Sequence, residues 1–365
     1  MKKFLKYMRK INQITSSVFC KLKFRYAFPP NFFYIAVTKS CSLKCKMCDW
    51  GGDFPESPFT QNLGGVDNNK ELHLEVIVKL FDEISWYRPS VNIIGAEPLE
   101  YSKIIELIDE ATLRGMETSI TTNGVLLNEM SDDLIFAGLK NINISINGTQ
   151  EVHDKICGEK GLYNKVVDGI KNLEHLMKKY KTNEPIINIV FTISNHNYWN
   201  ILDTVHALRD LNYNNILINH FTFISKELAS MHNEKFPNIK VGPKAVYHSD
   251  PKKVCIDVLF SQLEKLKKYN HRIHIRPVLN KNELEKYYKT DEPFIQRNSK
   301  CICLWTEANI NVSGDVIAKF YCPYISFGNI KEKNFFLIWN ASKFRDFRKL
   351  GKKFPVCYRC PSYFT

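Results

Sequence analysis

Phe32-Phe-Tyr-Ile-Ala-Val-Thr38 runs almost directly into Cys41-Ser-Leu-Lys-Cys45-Lys-Met-Cys48. The first stretch is a short apolar run of aromatic and β-branched residues, the composition of a buried strand. The second holds three thiols within eight residues and begins three residues past the strand. One tight loop can point all three at a common centre. Soft thiolates select zinc, copper(I) or iron–sulfur clusters. A structural zinc or an ordinary cubane takes four protein ligands, and no fourth Cys or His lies within twenty residues of the trio. Three thiolates on a 4Fe–4S cube leave one iron open; the alternative is a zinc with a remote fourth ligand. Lys39, Lys44 and Lys46 surround the thiols, and no acid precedes Asp49, which suits an anionic cluster.

Similar apolar runs recur at Val91–Ala96, Thr118–Thr122, Ile142–Ile146, Ile186–Ile193 and Ile216–Phe221. Helical spacing lies between them: Ile77, Leu80, Phe81 and Ile84; Ile104, Ile105, Leu107 and Ile108; Val166, Ile170, Leu173, Met177 and Tyr180; Ile201, Val205, Leu208 and Leu211. Six strands alternating with helices predict an α/β fold with a parallel sheet and right-handed crossovers. Their even spacing fits a partial (β/α)6 TIM-like barrel, whose active face is built from the loops after the strands. The cysteine trio lies on that face. No GxGxxG follows the first strand, which speaks against dinucleotide binding. Residues 225–254 lose periodicity and carry Pro237, Gly242, Pro243 and Pro251; they read as a long loop before a helix at Ile256–Asn270. After about Lys289 the chain reads as a smaller, cysteine-tied unit. The predicted organisation is a basic N-terminal segment (1–30), a barrel (31–285) and a C-terminal unit (286–365).

The 365 residues are 44% hydrophobic and 24% charged, ordinary for a globular protein. No run of ~18 apolar residues predicts a membrane span, and no apolar stretch follows the basic N-terminus to make a secretory signal. Eleven cysteines without such a signal predict the reducing cytoplasm. The net charge is +13, yet eleven of the 51 Lys and Arg precede Asp49, so the other 40 nearly balance the 38 Asp and Glu. A broad nucleic-acid-binding face is therefore not expected. Phe4, Met8, Ile11, Thr15, Val18 and Leu22 follow helical spacing, with Lys2, Lys3, Lys6, Arg9 and Lys10 largely elsewhere. This basic amphipathic pattern over residues 1–25 suits peripheral contact with the inner membrane surface, or a helix docked on the barrel.

The sequence resembles the radical SAM superfamily over roughly Phe33–Phe223. The CxxxCxxC spacing after the first strand is that family's signature. Gly95-Ala96-Glu97-Pro98 resembles its GGEP motif, Thr121-Thr122-Asn123-Gly124 its TNG, and Ser145-Ile146-Asn147-Gly148 its SxDG; His153-Asp154-Lys155-Ile156 and Gly161 continue the pattern. The resemblance implies that Cys41, Cys45 and Cys48 hold a 4Fe–4S cluster and that S-adenosylmethionine (SAM) chelates its open iron. Met47, Gly95, Glu97, Pro98, Asn123, Ser145 and Asn147 would then surround the cofactor, with Glu97 at its amino group and the Ser145–Asn147 turn at its ribose. An electron from a reductant such as flavodoxin or ferredoxin would release a 5′-deoxyadenosyl radical, which removes a hydrogen atom from substrate. The chain departs from the family at Ala96 for glycine, Met47 for an aromatic, Asn147 for Asp, and Cys157 where relatives often carry Arg.

Cys301-x-Cys303-x-Trp305, Gly314-Asp315-Val316, Cys322, Gly328-Asn329-Ile330, Ile338-Trp339-Asn340 and Cys357-Tyr-Arg-Cys360 resemble the SPASM auxiliary-cluster domain in its shortened, twitch-like form. The resemblance implies a small C-terminal iron–sulfur domain with a second 4Fe–4S cluster. A hairpin around Ser313-Gly314-Asp315 would bring Cys301 or Cys303 near Cys322, and Cys357 with Cys360 would complete the set. Counting back from Trp305 favours Cys301, with Cys303 as the alternative; a zinc ribbon-like site is the other reading of these cysteines.

Three functions follow. The first is a radical SAM enzyme that oxidises or epimerises a small molecule such as a sugar, aminosugar or glycan precursor. The second is a peptide or protein maturase. The third, of another class, is a non-enzymatic metal-binding module. Cys157 is a candidate catalytic hydrogen donor, against the reading of a buried packing thiol. His220, in the sixth strand, faces either the cavity or the core.

Overall fold

Strand β1 (Phe32–Ala36) alternates half-buried and buried side chains and pairs in parallel with β2 (Ser90–Ile94). Strands β3 (Glu117–Thr122), β4 (Asn141–Ser145), β5 (Ile186–Ile193), β6 (Asn215–His220) and β7 (Ile273–Arg276) follow in parallel. The computed structural model describes residues 14–15, 18, 25–49, 57–64, 70–244, 249–269, 272–292, 301–320, 322, 324–350 and 354–360. The expected N-terminal amphipathic helix lies outside the described residues, except for helical Ile14, Thr15 and Val18. Among the described residues no helix is long and apolar enough to cross a membrane.

The helices are α1 (Pro58–Leu63), α2 (Leu74–Ile84), α3 (Ile104–Leu113), α4 (Leu127–Phe136), α5 (Gln150–Cys157), α6 (Leu162–Lys179), α7 (Ile201–Ala207), α8 (Lys226–Lys235), α9 (Ile256–Leu266) and α10 (Lys281–Lys289). Most of them cover one face of the sheet, whereas α1 packs on the other, where Leu63 meets Ala36, Tyr34 and Ile94. Ile77, Leu80, Phe81 and Ile84 of α2 and Val166, Ile170 and Leu173 of α6 are buried, against strand residues such as Ile93, Ile120, Ile142, Ile189 and Ile218. Burying such side chains supplies roughly 1.5–3 kcal/mol each.

The opposite face, inside the barrel, is polar. Asn143 Nδ2 approaches Ser119 Oγ at 3.4 Å, Asn188 Nδ2 donates to Asn143 Oδ1 at 3.2 Å, and Asn215 Nδ2 donates to Asn188 Oδ1 at 2.9 Å. A strand has period 2, so Ile-Asn-Ile in β4 and β5 puts isoleucine under the helices and asparagine in the barrel.

The structure corrects three expectations. The predicted long loop at 225–254 contains α8, whose N-cap Ser225 Oγ accepts from Leu228 N at 3.0 Å. That helix was illegible because its buried residues are only Leu228, Ala229 and His232. The sheet gains a seventh parallel strand, β7, whose four residues Ile-His-Ile-Arg are half polar. The next helix, α9, stops at Leu266, short of the expected Asn270.

The C-terminal unit extends the same sheet. Strand β8 (Glu307–Ile310) pairs in parallel with β1, then β9 (Asp315–Ile317) and β10 (Ser326–Asn329) add antiparallel neighbours. The order is β10-β9-β8-β1-β2-β3-β4-β5-β6-β7, an open sheet with β10 and β7 at its edges. The β8–β9 hairpin turns where expected, with Gly314 at φ +88°. Helices α11 (Cys303–Thr306), α12 (Phe335–Trp339) and α13 (Ser342–Leu350) complete the unit. The buried Arg348 pins it together, donating to the carbonyls of Leu304 and Trp339 at 2.9 and 2.8 Å and lying over the Trp339 ring. Trp339 Nε1 donates to Phe28 O at 2.8 Å, tying the chain before β1 to this unit.

Candidate active site

Parallel strands deliver their following loops to one end of the sheet. The β1 loop, carrying the cysteine trio, is laced to the β2 loop: Ala96 N donates to Thr38 O at 3.0 Å and Glu97 N to Ser40 O at 2.9 Å. The approach is close enough that a Cβ on Gly95 would lie 2.7 Å from the Thr38 carbonyl. Glycine at 95 is thus required by packing. Lys46 N donates to Ile156 O at 2.9 Å, tying the trio to α5.

A cavity of about 490 Å³ opens at this end. It is lined by all three thiols of the trio, by Met47, Gly95, Glu97, Asn123, Ser145, Asn147 and Cys157, and by Asn309, Lys319 and Phe320 from the C-terminal unit. Eleven of the twelve non-auxiliary residues singled out by the sequence (the exception is Pro98) converge on one mouth or its rim; that tally counts His220, which lines the adjoining inner compartment of about 560 Å³. Pro98 is buried behind Glu97, at the start of a short 3₁₀ turn.

Glu97 is 2% exposed. Its carboxylate accepts from Leu99 N at 3.0 Å, Thr122 Oγ1 at 2.7 Å and Asn123 N at 2.7 Å. Burial nonetheless pushes it up to about 7, against the pull of those three donors. A buried carboxylate with only neutral partners is poised to gain from an ammonium. Thr122, in the TNG-like motif, fixes Glu97 through its hydroxyl, which also accepts from Gly124 N at 3.0 Å.

Asn147 is 7% exposed, its Oδ1 accepts from Thr192 N at 2.9 Å, and its own N–H donates to His153 Nδ1 at 3.1 Å. Burial lowers His153 to about 4, so the ring is neutral; with Nδ1 accepting, Nε2 carries the proton and lies 3.8 Å from Cys157 Sγ. Cys157 is 5% exposed and hydrogen-bonds to Cys45, and that bond, followed by burial, raises the Cys45 thiol. Burial pushes Cys41 up to about 12. Cys157 therefore stands beside the trio and lines the same cavity.

The five C-terminal cysteines also gather. Cys301 and Cys303 Sγ are 2.8 Å apart. Burial raises Cys322 and Cys357 well above the usual thiol range, and both sense Cys360 and Cys303; Cys301 senses Cys360, Cys322 and Cys357. The sequence missed Lys319, which pairs with Glu307 at 2.7 Å next to Cys303 and Cys360 and faces the main cavity. It lies in the stretch between Gly314 and Cys322, which is longer than the common pattern.

Sequence profiles match the radical SAM superfamily over residues 35–208 and the iron–sulfur cluster-binding SPASM domain over residues 301–361. The chain is a radical SAM enzyme with a SPASM domain. It is 21% identical over 360 residues to the tungsten-containing aldehyde ferredoxin oxidoreductase cofactor-modifying protein of Pyrococcus furiosus, covering 90% of this chain and 86% of that one. Among solved structures, Streptococcus suis SuiB bound to precursor peptide SuiA superposes with a TM-score of 0.62 at 14% identity, over 97% of this chain and 78% of SuiB. Native anSMEcpe with bound AdoMet gives 0.57 at 18% identity, over 90% and 88%. At these identities the structural likenesses establish the fold.

The radical SAM and SPASM domains imply SAM and 4Fe–4S clusters. The donor set fits them. Both groups are crowded soft thiols; those of Cys41, Cys45, Cys301, Cys303, Cys322 and Cys357 are raised above the usual thiol range by their surroundings, and an iron–sulfur centre would supply the positive charge that reverses this. Among the described residues no three Cys, His, Asp or Glu side chains converge to hold a single metal ion.

Proposed function

We propose that this enzyme is a peptide or protein maturase, which abstracts a hydrogen atom from a side chain bound between the two cysteine groups. The observation that carries this reading is the shared cavity: Asn309, Lys319 and Phe320 of the SPASM region line the same space as Cys41, Cys45 and Cys48. A substrate there would lie beside the trio and against Lys319, which neighbours Cys303 and Cys360 of the second group. SuiB was crystallised with a precursor peptide and anSMEcpe with the Cp18Cys peptide, which ranks peptide modification first among the reactions to test.

In this proposal Cys41, Cys45 and Cys48 hold the SAM-binding cluster. Glu97 receives the SAM ammonium, and Met47, Gly95, Pro98, Asn123, Ser145 and Asn147 shape its seat. Cys322, Cys357, Cys360 and Cys301, or Cys303 in its place, hold the auxiliary cluster. When bound and reduced, by a flavodoxin- or ferredoxin-type donor, the first centre supplies a 5′-deoxyadenosyl radical. The chain positions the substrate carbon, excludes water and keeps Glu97 and His153 in fixed hydrogen-bond networks. Cys157 serves as a packing thiol beside Cys45.

A second reading, a small polyhydroxylated substrate such as a sugar or aminosugar, is favoured by the Asn–Ser lining of the inner compartment. Anaerobic reconstitution followed by SAM and dithionite tests both. The expected result is 5′-deoxyadenosine, with a mass loss in a genomically neighbouring peptide under the first reading. Reconstituted protein that makes no 5′-deoxyadenosine sinks both readings; turnover of a sugar derivative and of no peptide sinks the first.

A further inference from the structure

One stretch of the main cavity's wall is carbon. Tyr34 of β1, Ile94 and Ala96 at the end of β2, Phe59 and Leu63 of α1, and Phe320 all line it and pack in one apolar cluster. Side chains alternate between the two faces of a strand. Tyr34 and Ile94 therefore point into the barrel, while Phe33, Ile35, Val91 and Ile93 belong to the separate core under the helices.

Helix α1 is pinned over this patch at both ends. Its N-cap Ser57 Oγ donates to Asp49 Oδ2 at 2.6 Å and accepts from Phe59 N at 3.3 Å. At the other end Leu63 O accepts from Val312 N at 3.2 Å. Asp49 directly follows Cys48, so the loop that carries the thiols also fixes the start of the helix that carries Phe59.

The patch is not a closed core. Leu63 and Phe320 are buried, but Tyr34, Phe59, Ile94 and Ala96 are only partly so. Tyr34, Phe59 and Ile94 also line the inner compartment, which puts the patch at the waist between the two volumes. Ala96 adds a methyl where the family has glycine. None of these four is among the residues assigned to SAM. Apolar surface kept open inside a concave site is what a carbon group of a ligand covers favourably.

Charge is scarce beside it. Among the described residues lining the main cavity, the only Asp, Glu, Lys or Arg are Glu97 and Lys319. Glu97 accepts three internal hydrogen bonds, and Lys319 pairs with Glu307 at 2.7 Å and lies 5.7 Å from the centre of the Tyr34 ring. An ionic substrate group would meet charges that are already engaged, whereas an apolar group needs no counter-charge.

We propose that this waist is the subsite for the peptide side chain presented to the trio, and that it takes an apolar one, aliphatic or aromatic, whose carbons pack on Tyr34, Phe59, Ile94 and Ala96. The assignment rests on the maturase reading of this mouth and narrows its substrate to a peptide with such a residue at the modified position.

The test is calorimetric titration of the reconstituted, SAM-loaded full chain, without reductant, with capped tripeptides Gly-X-Gly in which X is Leu, Phe, Ser or Asp. The Leu or Phe peptide is expected to bind at one site per chain at least tenfold tighter than the Ser and Asp peptides, equivalent to ~1.4 kcal/mol. Phe59→Ser, and the shape-conserving Ile94→Thr, should each lower that ratio. Trp86→Ser, at an exposed position before β2 and so at the other end of the sheet, should leave it unchanged. Ser or Asp peptides that bind as tightly as Leu and Phe, no binding of either apolar peptide, or a ratio unchanged in both waist variants overturns the proposal. Adding dithionite to the same samples and measuring 5′-deoxyadenosine separates the two ideas: SAM cleavage without apolar preference removes the subsite and leaves the maturase reading standing, whereas no cleavage removes that reading itself.

Discussion

Replacing Glu97 by Gln tests the reading of this carboxylate as the receiver of the SAM ammonium. In the metal-free chain its pKa rises from 4.5 to about 7 because it is buried, a difference worth about 3 kcal/mol. The sign follows from proton binding. Below pH 4.5 the group is protonated in both folded and unfolded chains and contributes no pH dependence. Between 4.5 and 7 the unfolded chain releases the proton and the folded chain retains it, so stability falls as pH rises. Above about 7 the full penalty is present and this contribution is flat. Glu97→Gln removes that slope. It also turns one amide N–H toward Asn123 N, or toward Leu99 N and Thr122 Oγ1, which donate to the native carboxylate; this clash costs roughly 1–3 kcal/mol at every pH. Denaturant unfolding of the two chains from pH 4 to 8 should therefore give stability curves that converge, and can cross, as pH rises. Groups common to both, such as His153, cancel in the difference. With clusters and SAM restored, the variant should retain SAM at least tenfold more weakly by equilibrium dialysis, since a neutral amide replaces the carboxylate facing an ammonium. Parallel unfolding profiles, or unchanged SAM retention, refute the assignment.

Replacing Cys41, Cys45 and Cys48 with Ala should remove about four irons per chain and all 5′-deoxyadenosine, whereas replacing Cys357 and Cys360 should remove about four irons and leave SAM cleavage intact; iron assay and chromatography read both. Cys301→Ser should lose the auxiliary irons and Cys303→Ser should keep them, and the opposite pattern would exchange their roles. Gly95→Ala should lower unfolding free energy by roughly 1–3 kcal/mol, because its Cβ would sit 2.7 Å from the Thr38 carbonyl; an unchanged denaturation midpoint counts against the packing argument. Cys157→Ala should leave SAM cleavage and product formation unchanged, and loss of product with cleavage retained would identify it as a hydrogen donor.

The strand–helix alternation was legible because Ile-rich strands and amphipathic helices carry different periods. The first six strands fall where the apolar runs lie, and the trio, Glu97 and Asn123 fall at their carboxyl ends as the barrel rule requires. Strand β7 escaped because Ile-His-Ile-Arg is too short and too polar to outweigh its neighbours, and α8 because only three of its residues are buried. The polar barrel interior was written in the sequence, as Ile142-Asn143-Ile144 and Ile187-Asn188-Ile189, but an apolar run with asparagine in it reads first as a buried strand. Lys319 carried no local signal. It acquires meaning only from a partner distant in sequence, Glu307.

The pairing of β8 with β1 has a consequence that no local pattern could announce. Phe32 to Ile35 register against Glu307 to Ile310 in parallel, so the strand that launches the cysteine trio is hydrogen-bonded to the strand that launches the Lys319–Cys322 segment. Glu307 at the start of β8 holds Lys319 beyond β9, and Lys319 in turn faces Tyr34 of β1 at 5.7 Å. Asn62 Nδ2, from α1, donates to the carbonyls of Phe320 and Cys322 at 3.3 and 2.6 Å. The two cysteine groups are thus mounted on one sheet with cross-braces, and their separation is set by backbone register. On the proposed reading, substrate does not draw the two groups together when it binds. It must fit a gap of fixed width, and selection falls to what lines that gap: the thiols' neighbours on one side and Asn309, Lys319 and Phe320 of the C-terminal unit on the other.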